Sequence, residues 1–215
     1  MYDLSYFKEK DGAVVLDFIR QYPFAFITGC DADNKPIATQ IPVFIDERNG
    51  KLYLSGHIMK NTDHHKAFEF NSNVLAVFTG PHTYVSASWY DDTKQASTWN
   101  YTSVHAKGKL SFLDEQALLV ILKRTTDHFE NDAKSPSNYD NLPPEYIARL
   151  SKAIVAFEIE VATFDNVFKL SQNRNEKSYH NIIEALDKGN DPESIKVAEE
   201  MKKRIEQMSA TWHKK

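Results

Sequence analysis

Three short stretches of this chain hold more cationic, hydroxyl, amide and aromatic side chains than a folding core requires. The first is Gly56-His57-Ile58-Met59-Lys60-Asn61. The second runs from Gly80-Pro81-His82-Thr83-Tyr84-Val85-Ser86-Ala87-Ser88-Trp89-Tyr90, through Lys94, to Ser97-Thr98-Trp99-Asn100-Tyr101 and on to His105. The third is Lys169-Leu170-Ser171-Gln172-Asn173-Arg174. Together they carry what a flat ring bearing a phosphate needs. A phosphate near-dianion takes cations and hydroxyl or amide donors. Lys60, Lys94, Lys169 and Arg174, with Ser86, Ser88, Thr98 and Asn61, are of those types. A large planar ring is bordered by aromatic side chains, here Trp89, Tyr90, Trp99 and Tyr101, and its polar edge suits Asn100, Gln172 and Asn173. Two of the stretches also have a plainer reading. Trp99-Asn100-Tyr101 serves equally as strand packing, and Ser171-Gln172-Asn173 as a turn or helix cap.

The elements that must position these residues are legible as periodicity. Val14, Val15, Phe18, Ile19 and Tyr22 share one face of a predicted helix that Asp11 caps and Pro23 ends. Strands are predicted at 24–28, along the alternating Ile37, Thr39, Ile41, Val43 and Ile45, at 52–55 and at 74–78, the last stopped by Gly80-Pro81. Asn49-Gly50 predicts a two-residue hairpin, because both residue types tolerate positive φ. Residues 60–70 read as a short helix, 83–88 as a further strand and 98–112 as a long one. Asp114 caps a helix bearing Leu118, Ile121, Leu122, Thr125 and Phe129 on one face. Residues 131–144 read as loop and 153–164 as the last strand. Beyond residue 175 the pattern turns helical. Tyr179, Ile182, Ile183 and Leu186 share a face that Gly189 closes, and Asp191-Pro192 starts a second helix striped by Ala198, Met201, Ile205, Met208 and Trp212. That stripe packs on the molecule itself or on a second subunit. Lys202-Lys203-Arg204 reads as a solvated face balanced by Glu199, Glu200 and Glu206.

Composition narrows the function classes. The chain has 215 residues, 41% hydrophobic and 26% charged, enough for one core with a helical appendage. A net charge of −4 removes the broad basic field of a nucleic-acid binder, though not a local patch. Cys30 is the single cysteine, so no intrachain disulfide forms. The start of the chain lacks a signal-peptide pattern, and no apolar run reaches the roughly 18 residues that span a bilayer, which makes the cytoplasm the expected compartment. His57, His64 and His65 do not match a metal-binding spacing, and His82 and His105 read as hydrogen-bonded structural histidines.

The second stretch resembles the signature of the PaiB-like, FMN-binding negative transcriptional regulator family. That pattern runs Gly-Pro-x-x-Tyr-Ile-Ser-Pro-Ser-Trp-Tyr, a spacer with Lys, then Val-Pro-Thr-Trp-Asn-Tyr-x-x-Val-His. The chain matches it at Gly80, Pro81, Tyr84, Ser86, Ser88, Trp89, Tyr90, Lys94, Thr98, Trp99, Asn100, Tyr101, Val104 and His105. Lys169 to Asn173 resembles a second family motif, and Gly56-His57 with Asn61 a third. Ala87 and Ser97 stand where the family has prolines, and Ile58-Met59-Lys60 where it usually has an arginine.

The resemblance implies an antiparallel split β-barrel of the FMN-binding type, mainly β with flanking helices and related to pyridoxamine-phosphate oxidases. It implies a barrel domain over 1–170 and a helical extension over 171–215, packed on the barrel or the dimer partner. It implies FMN at a homodimer interface, bound through His57, Lys60, Asn61, Ser86, Ser88, Trp89, Lys94, Thr98, Trp99, Asn100, Lys169, Gln172 and Asn173. DNA enters as a partner by resemblance only, and no membrane is expected. The functions left open are a flavin-binding regulator, a flavin-dependent oxidoreductase in which His105 or Tyr101 moves a proton, and a cofactor-free dimeric interaction module.

Overall fold

The computed structural model describes residues 1–132 and 134–212, without the side chains of 210 and 211. The helices are α1 (Gly12–Gln21), α2 (Asp63–Phe70), α3 (Glu115–Glu130), α4 (Pro144–Ser151), α5 (Glu176–Asp187), α6 (Pro192–Lys202) and α7 (Ile205–Trp212). The strands are β1 (Phe24–Cys30), β2 (Pro36–Pro42), β3 (Phe44–Arg48), β4 (Lys51–Met59), β5 (Asn73–Val85), β6 (Thr98–Phe112) and β7 (Ile154–Lys169). The strands form one antiparallel sheet in the order β2-β1-β5-β6-β7-β4-β3, flanked by helices, as expected for a split barrel. The chain divides into two compact units. One comprises 1–18, 79–104 and 165–215, and the other 19–78 and 105–164. Among the described residues no helix is long and apolar enough to cross a membrane.

In the second unit, β1 pairs with β2 from Phe24↔Pro42 to Cys30↔Pro36. The β3–β4 hairpin closes from Phe44↔Ser55 to Arg48↔Lys51, around Asn49 and Gly50 at φ 53° and 72°. This is the mirror-image turn whose twist matches the strands. β4 pairs with β7 from Tyr53↔Glu160 to Met59↔Ile154. The expected single strand through Ile37 and Ile45 is two strands. Pro42 has no N–H for the ladder, and the Val43 N–H turns away to the Pro23 carbonyl at 2.9 Å. Asp114 caps α3 by accepting from the Ala117 N–H at 2.9 Å, and Leu118 and Ile121 of that helix pack with Ala156. The segment taken as loop holds a turn of 3₁₀ helix at Tyr139–Asn141 and leads into α4, where Pro144 sits in the first turn.

In the first unit, the expected stop at Gly80-Pro81 is absent, because β5 runs through it. The burial alternation instead changes phase there: Val74, Ala76, Phe78 and Gly80 are inside, then Pro81, Thr83 and Val85. One extra residue in the alternation turns every later side chain to the opposite face, and that places His82 and Tyr84 outward. Gly80 is needed at the change of phase, since a Cβ there would overlap Thr102 Oγ1 and the Phe18 ring. The last helix also differs from expectation. It breaks after Lys202 and resumes at Ile205, and Arg204 turns inward with only 7% exposure. Its guanidinium donates to the Glu200 carbonyl at 2.9 Å and carboxylate at 2.8 Å and lies 3.6 Å from Glu9. Lys202 and Lys203 do face solvent. The stripe is covered within the unit. Ala198, Met201 and Met208 are buried, Tyr179 Oη donates to the Met201 carbonyl at 3.0 Å, and the Trp212 ring meets Tyr179 edge-on at 5.4 Å. Residues 133 and 213–215, which fall in the expected loop and helical extension, lie outside the described residues.

Candidate functional site

The motif residues fall mostly in the first unit, where the N-terminal part of β6, the end of β7 and the turn after it come together. Lys169 closes β7 and is 7% exposed. Its Nζ donates to Thr98 Oγ1 at 2.5 Å and to the Trp99 carbonyl. The rings of Tyr2 and Phe7 each lie 5.9 Å from it. Burial, and then the nearby Arg174 guanidinium, hold its pKa below the ordinary lysine value. Tyr101 is pushed the other way, its phenol raised by burial and by Tyr2. Trp99 alternates outward on the same strand with 54% exposure, edge-on to exposed Tyr84 at 6.2 Å and beside His82 at 6.3 Å.

Asn100, the next residue inward, is fully buried. Its Oδ1 accepts from Ser171 Oγ at 3.0 Å and its Nδ2 reaches Met201 Sδ at 3.5 Å. The Gln172 amide is likewise engaged in its own turn, accepting from the Leu170 N–H at 2.7 Å and donating to the Phe168 carbonyl. Ser171 enables that turn at φ 64°. Both amides therefore brace the site, and Asn173 is the exposed one of the three.

Ser86 caps a 3₁₀ turn over Ala87–Trp89. Its hydroxyl accepts from the Ser88 N–H at 3.2 Å and meets Ser88 Oγ at 2.8 Å. Trp89 is half-buried, and Lys94 is exposed in the loop that follows. The two departures from the family pattern answer each other here. The Ala87 N–H, which a proline would lack, donates to Ser97 Oγ at 2.9 Å, an acceptor that a proline could not supply.

Three predicted residues belong to the second unit. His57 faces Ala156 across β4 and β7, and burial depresses its imidazole pKa, which favours the neutral ring. Lys60 is anchored through its N–H to the Ala153 carbonyl at 2.8 Å, and Asn61 takes the left-handed turn position at φ 64° before α2. Among the described residues no group of three or more His, Cys, Asp or Glu is arranged to hold a metal.

Tyr2, Phe7 and Ser171 were not singled out from sequence. Tyr2 and Phe7 lie more than ninety residues from Thr98 and Lys169 and have no local signal, whereas Ser171 sits inside a motif but needs its φ to show its role. Arg174, which lay just outside the predicted set, stacks on Tyr90 with its guanidinium carbon 4.0 Å from the ring centre and donates to Gln95 Oε1.

Comparison with known proteins gives this geometry a context. Residues 1–163 match the family described as "Putative FMN-binding domain". The chain is 34% identical over 205 residues to the protease synthase and sporulation protein PAI 2 of Bacillus subtilis, covering 95% of this chain and 98% of that one. It is 26% identical to an uncharacterized protein of Aspergillus fumigatus, covering 95% and 97%. Among solved structures, the flavocytochrome Anf3 of Azotobacter vinelandii aligns with a TM-score of 0.53 at 17% identity, covering 78% of this chain and 72% of that one. A Bacteroides thetaiotaomicron protein described as a "putative 5-nitroimidazole antibiotic resistance protein" aligns with 0.51 at 17%, covering 77% and 92%. At these identities the two structures share the fold.

Proposed function

The chain belongs to this FMN-binding family, and from that premise we propose that it is a PaiB-like transcriptional regulator working as a flavin-loaded homodimer. The residues fit the cofactor. A buried lysine amine without a carboxylate partner among the described residues suits a phosphate, and the Ser86 and Ser88 hydroxyls add donors. Exposed Trp99 and half-buried Trp89 offer ring faces. When bound, FMN supplies a ring that accepts and returns electrons. The chain's own residues bind and orient it. Lys169 and Lys94 take the phosphate end with Ser86 and Ser88. Trp89 and Trp99 border the ring, and Asn173 donates at its polar edge. Thr98, Asn100 and Gln172 hold the others in place.

The observation that carries the cofactor reading is Lys169, a buried cation that lacks an anion among the described residues. The regulatory role rests on the full-length likeness to PAI 2, a sporulation protein by name. The dimer has a candidate surface in the second unit. Phe24 and Phe26 are 60% and 45% exposed on β1, in register with Pro42 and Val77. Apolar sheet faces of that kind mark interaction sites. We assign the protein to the cytoplasm, and residues 171–215 to a helical extension of a barrel over 1–170.

One sample tests this. Purified protein is mixed with FMN, desalted, and measured for visible absorption and sedimentation mass. About one retained flavin per chain with the mass of two chains is expected. A colourless monomer would remove both claims, and the cofactor residues would revert to packing and turn roles. Operator fragments that shift with the flavin-loaded form, less so as salt rises, are the expected result for the regulator.

A further inference from the structure

Glu9 and Arg204 face each other inside the first unit without closing. Glu9 Oε2 lies 3.6 Å from Arg204 Nη2, beyond hydrogen-bond reach, although both side chains are largely buried. Buried opposite charges are normally paired through hydrogen bonds. Here each is fixed from behind. Asn166 Oδ1 accepts from the Glu9 N–H at 2.8 Å, and Asn166 Nδ2 donates to the Glu9 carbonyl at 3.0 Å. Glu9 Oε1 accepts from the Lys10 and Asp11 N–H groups at 2.9 and 3.0 Å. Arg204 Nη1 is held on the Glu200 carbonyl and carboxylate, and the guanidinium carbon lies 5.1 Å from the Phe168 ring centre. A carboxylate oxygen and a guanidinium amine are thereby kept at a set spacing.

Both groups line a cavity of about 450 Å³, a volume within the range of small-molecule sites. Tyr6, Phe168 and Met208 give its wall an apolar part, and exposed Lys10 adds a cation. Of the residues given to the flavin above, Gln172 alone borders it, and its amide is committed to its own turn. A ligand with a single charge would meet one of the two fixed groups favourably and the other unfavourably. A zwitterion that carries both charges on one carbon meets both favourably.

We propose that this cavity binds a free α-amino acid with an apolar side chain. Its ammonium donates to Glu9 Oε2, its carboxylate accepts from Arg204 Nη2, and its side chain lies against Tyr6, Phe168 and Met208.

The test is calorimetric titration of the full chain, with FMN present, by L-leucine, 4-methylpentanoate and 3-methylbutylamine. The last two keep leucine's carbon skeleton with only its carboxylate or only its ammonium. L-leucine is expected to bind, and each analogue to bind at least about 10-fold more weakly, the size of one lost charge-assisted contact. Glu9→Gln keeps the oxygen that accepts from the Lys10 and Asp11 N–H groups and removes the charge. It should weaken L-leucine by about the same factor without weakening 4-methylpentanoate. Absence of L-leucine binding overturns the site, and so does an analogue that binds as tightly as L-leucine. Both are read on wild type, whether or not the variant folds and whether or not FMN binds. A folded Glu9→Gln that takes L-leucine as wild type does also overturns it.

Discussion

Both compact units pair cations at the surface, and they differ in the cations they bury. In the second, three surface cations have their partners supplied across strands or from helix to strand. Arg124 reaches both oxygens of Asp46 at 2.5 and 2.9 Å, Lys51 meets Glu160 at 2.7 Å, and Arg48 meets Glu158. These pairs tie strand to strand and helix to strand, and each is worth little because water competes. In the first unit, among the described residues, Lys169 is buried without a carboxylate and Arg174 leaves a buried nitrogen open, although Arg204, also buried, is paired with Glu200 and lies near Glu9. Arg204 shows that this unit can supply an inward cation with a carboxylate. The contrast with Lys169, thirty-five residues earlier, is therefore informative. Unpaired buried charge is a liability for folding, and in the flavin-loaded form proposed above the cofactor's phosphate would offset it.

Backbone substitutions should give the largest effects and test whether both units depend equally on close packing. A Cβ at Gly108, in the second unit, would overlap the Glu160 backbone carbonyl, which cannot swing aside, whereas at Gly80 the nearest atom is the Thr102 hydroxyl. Gly108→Ala should therefore cost more than Gly80→Ala, about 3 kcal/mol or more against 1–2 kcal/mol. Urea unfolding of both variants checks this, and equal costs would erase the distinction.

Lys169→Met is the next largest and the most direct challenge to the contrast. Its folded pKa lies below the unfolded value, so the unfolded chain binds more protons between the two, and wild-type stability rises with pH through that window. Below the window the buried ammonium is a burden. The flavin-free variant should be about 1 kcal/mol more stable than wild type at pH 7, with the gap narrowing as pH approaches 10.5. A variant less stable than wild type at pH 7 would mean that the ammonium is already well paired. Arg124→Ala should be smallest, about 0.5 kcal/mol and weaker still at high salt. A loss above 2 kcal/mol would show that the second unit also relies on its charges.

What the sequence determined by itself were the features written in a few consecutive residues. Asn49-Gly50 made its hairpin, Asp114 capped its helix, and Asp191-Pro192 opened α6, because turn and cap energetics depend on neighbours in the chain. The family signature was legible for the same reason, as it lies in contiguous stretches. Only the tertiary structure decided which polar residues face inward. Asn100 and Trp99 are adjacent and look alike as site candidates, yet strand alternation buries one against Ser171 and exposes the other. Arg204 read as one of three solvated cations until Glu9, nearly two hundred residues away, came close to it. Gly80-Pro81 read as a stop and proved to be a change of phase, because Phe18 and Thr102 fill the space a side chain would need. Burial is a property of the partners a residue meets, and most of those partners are distant in sequence.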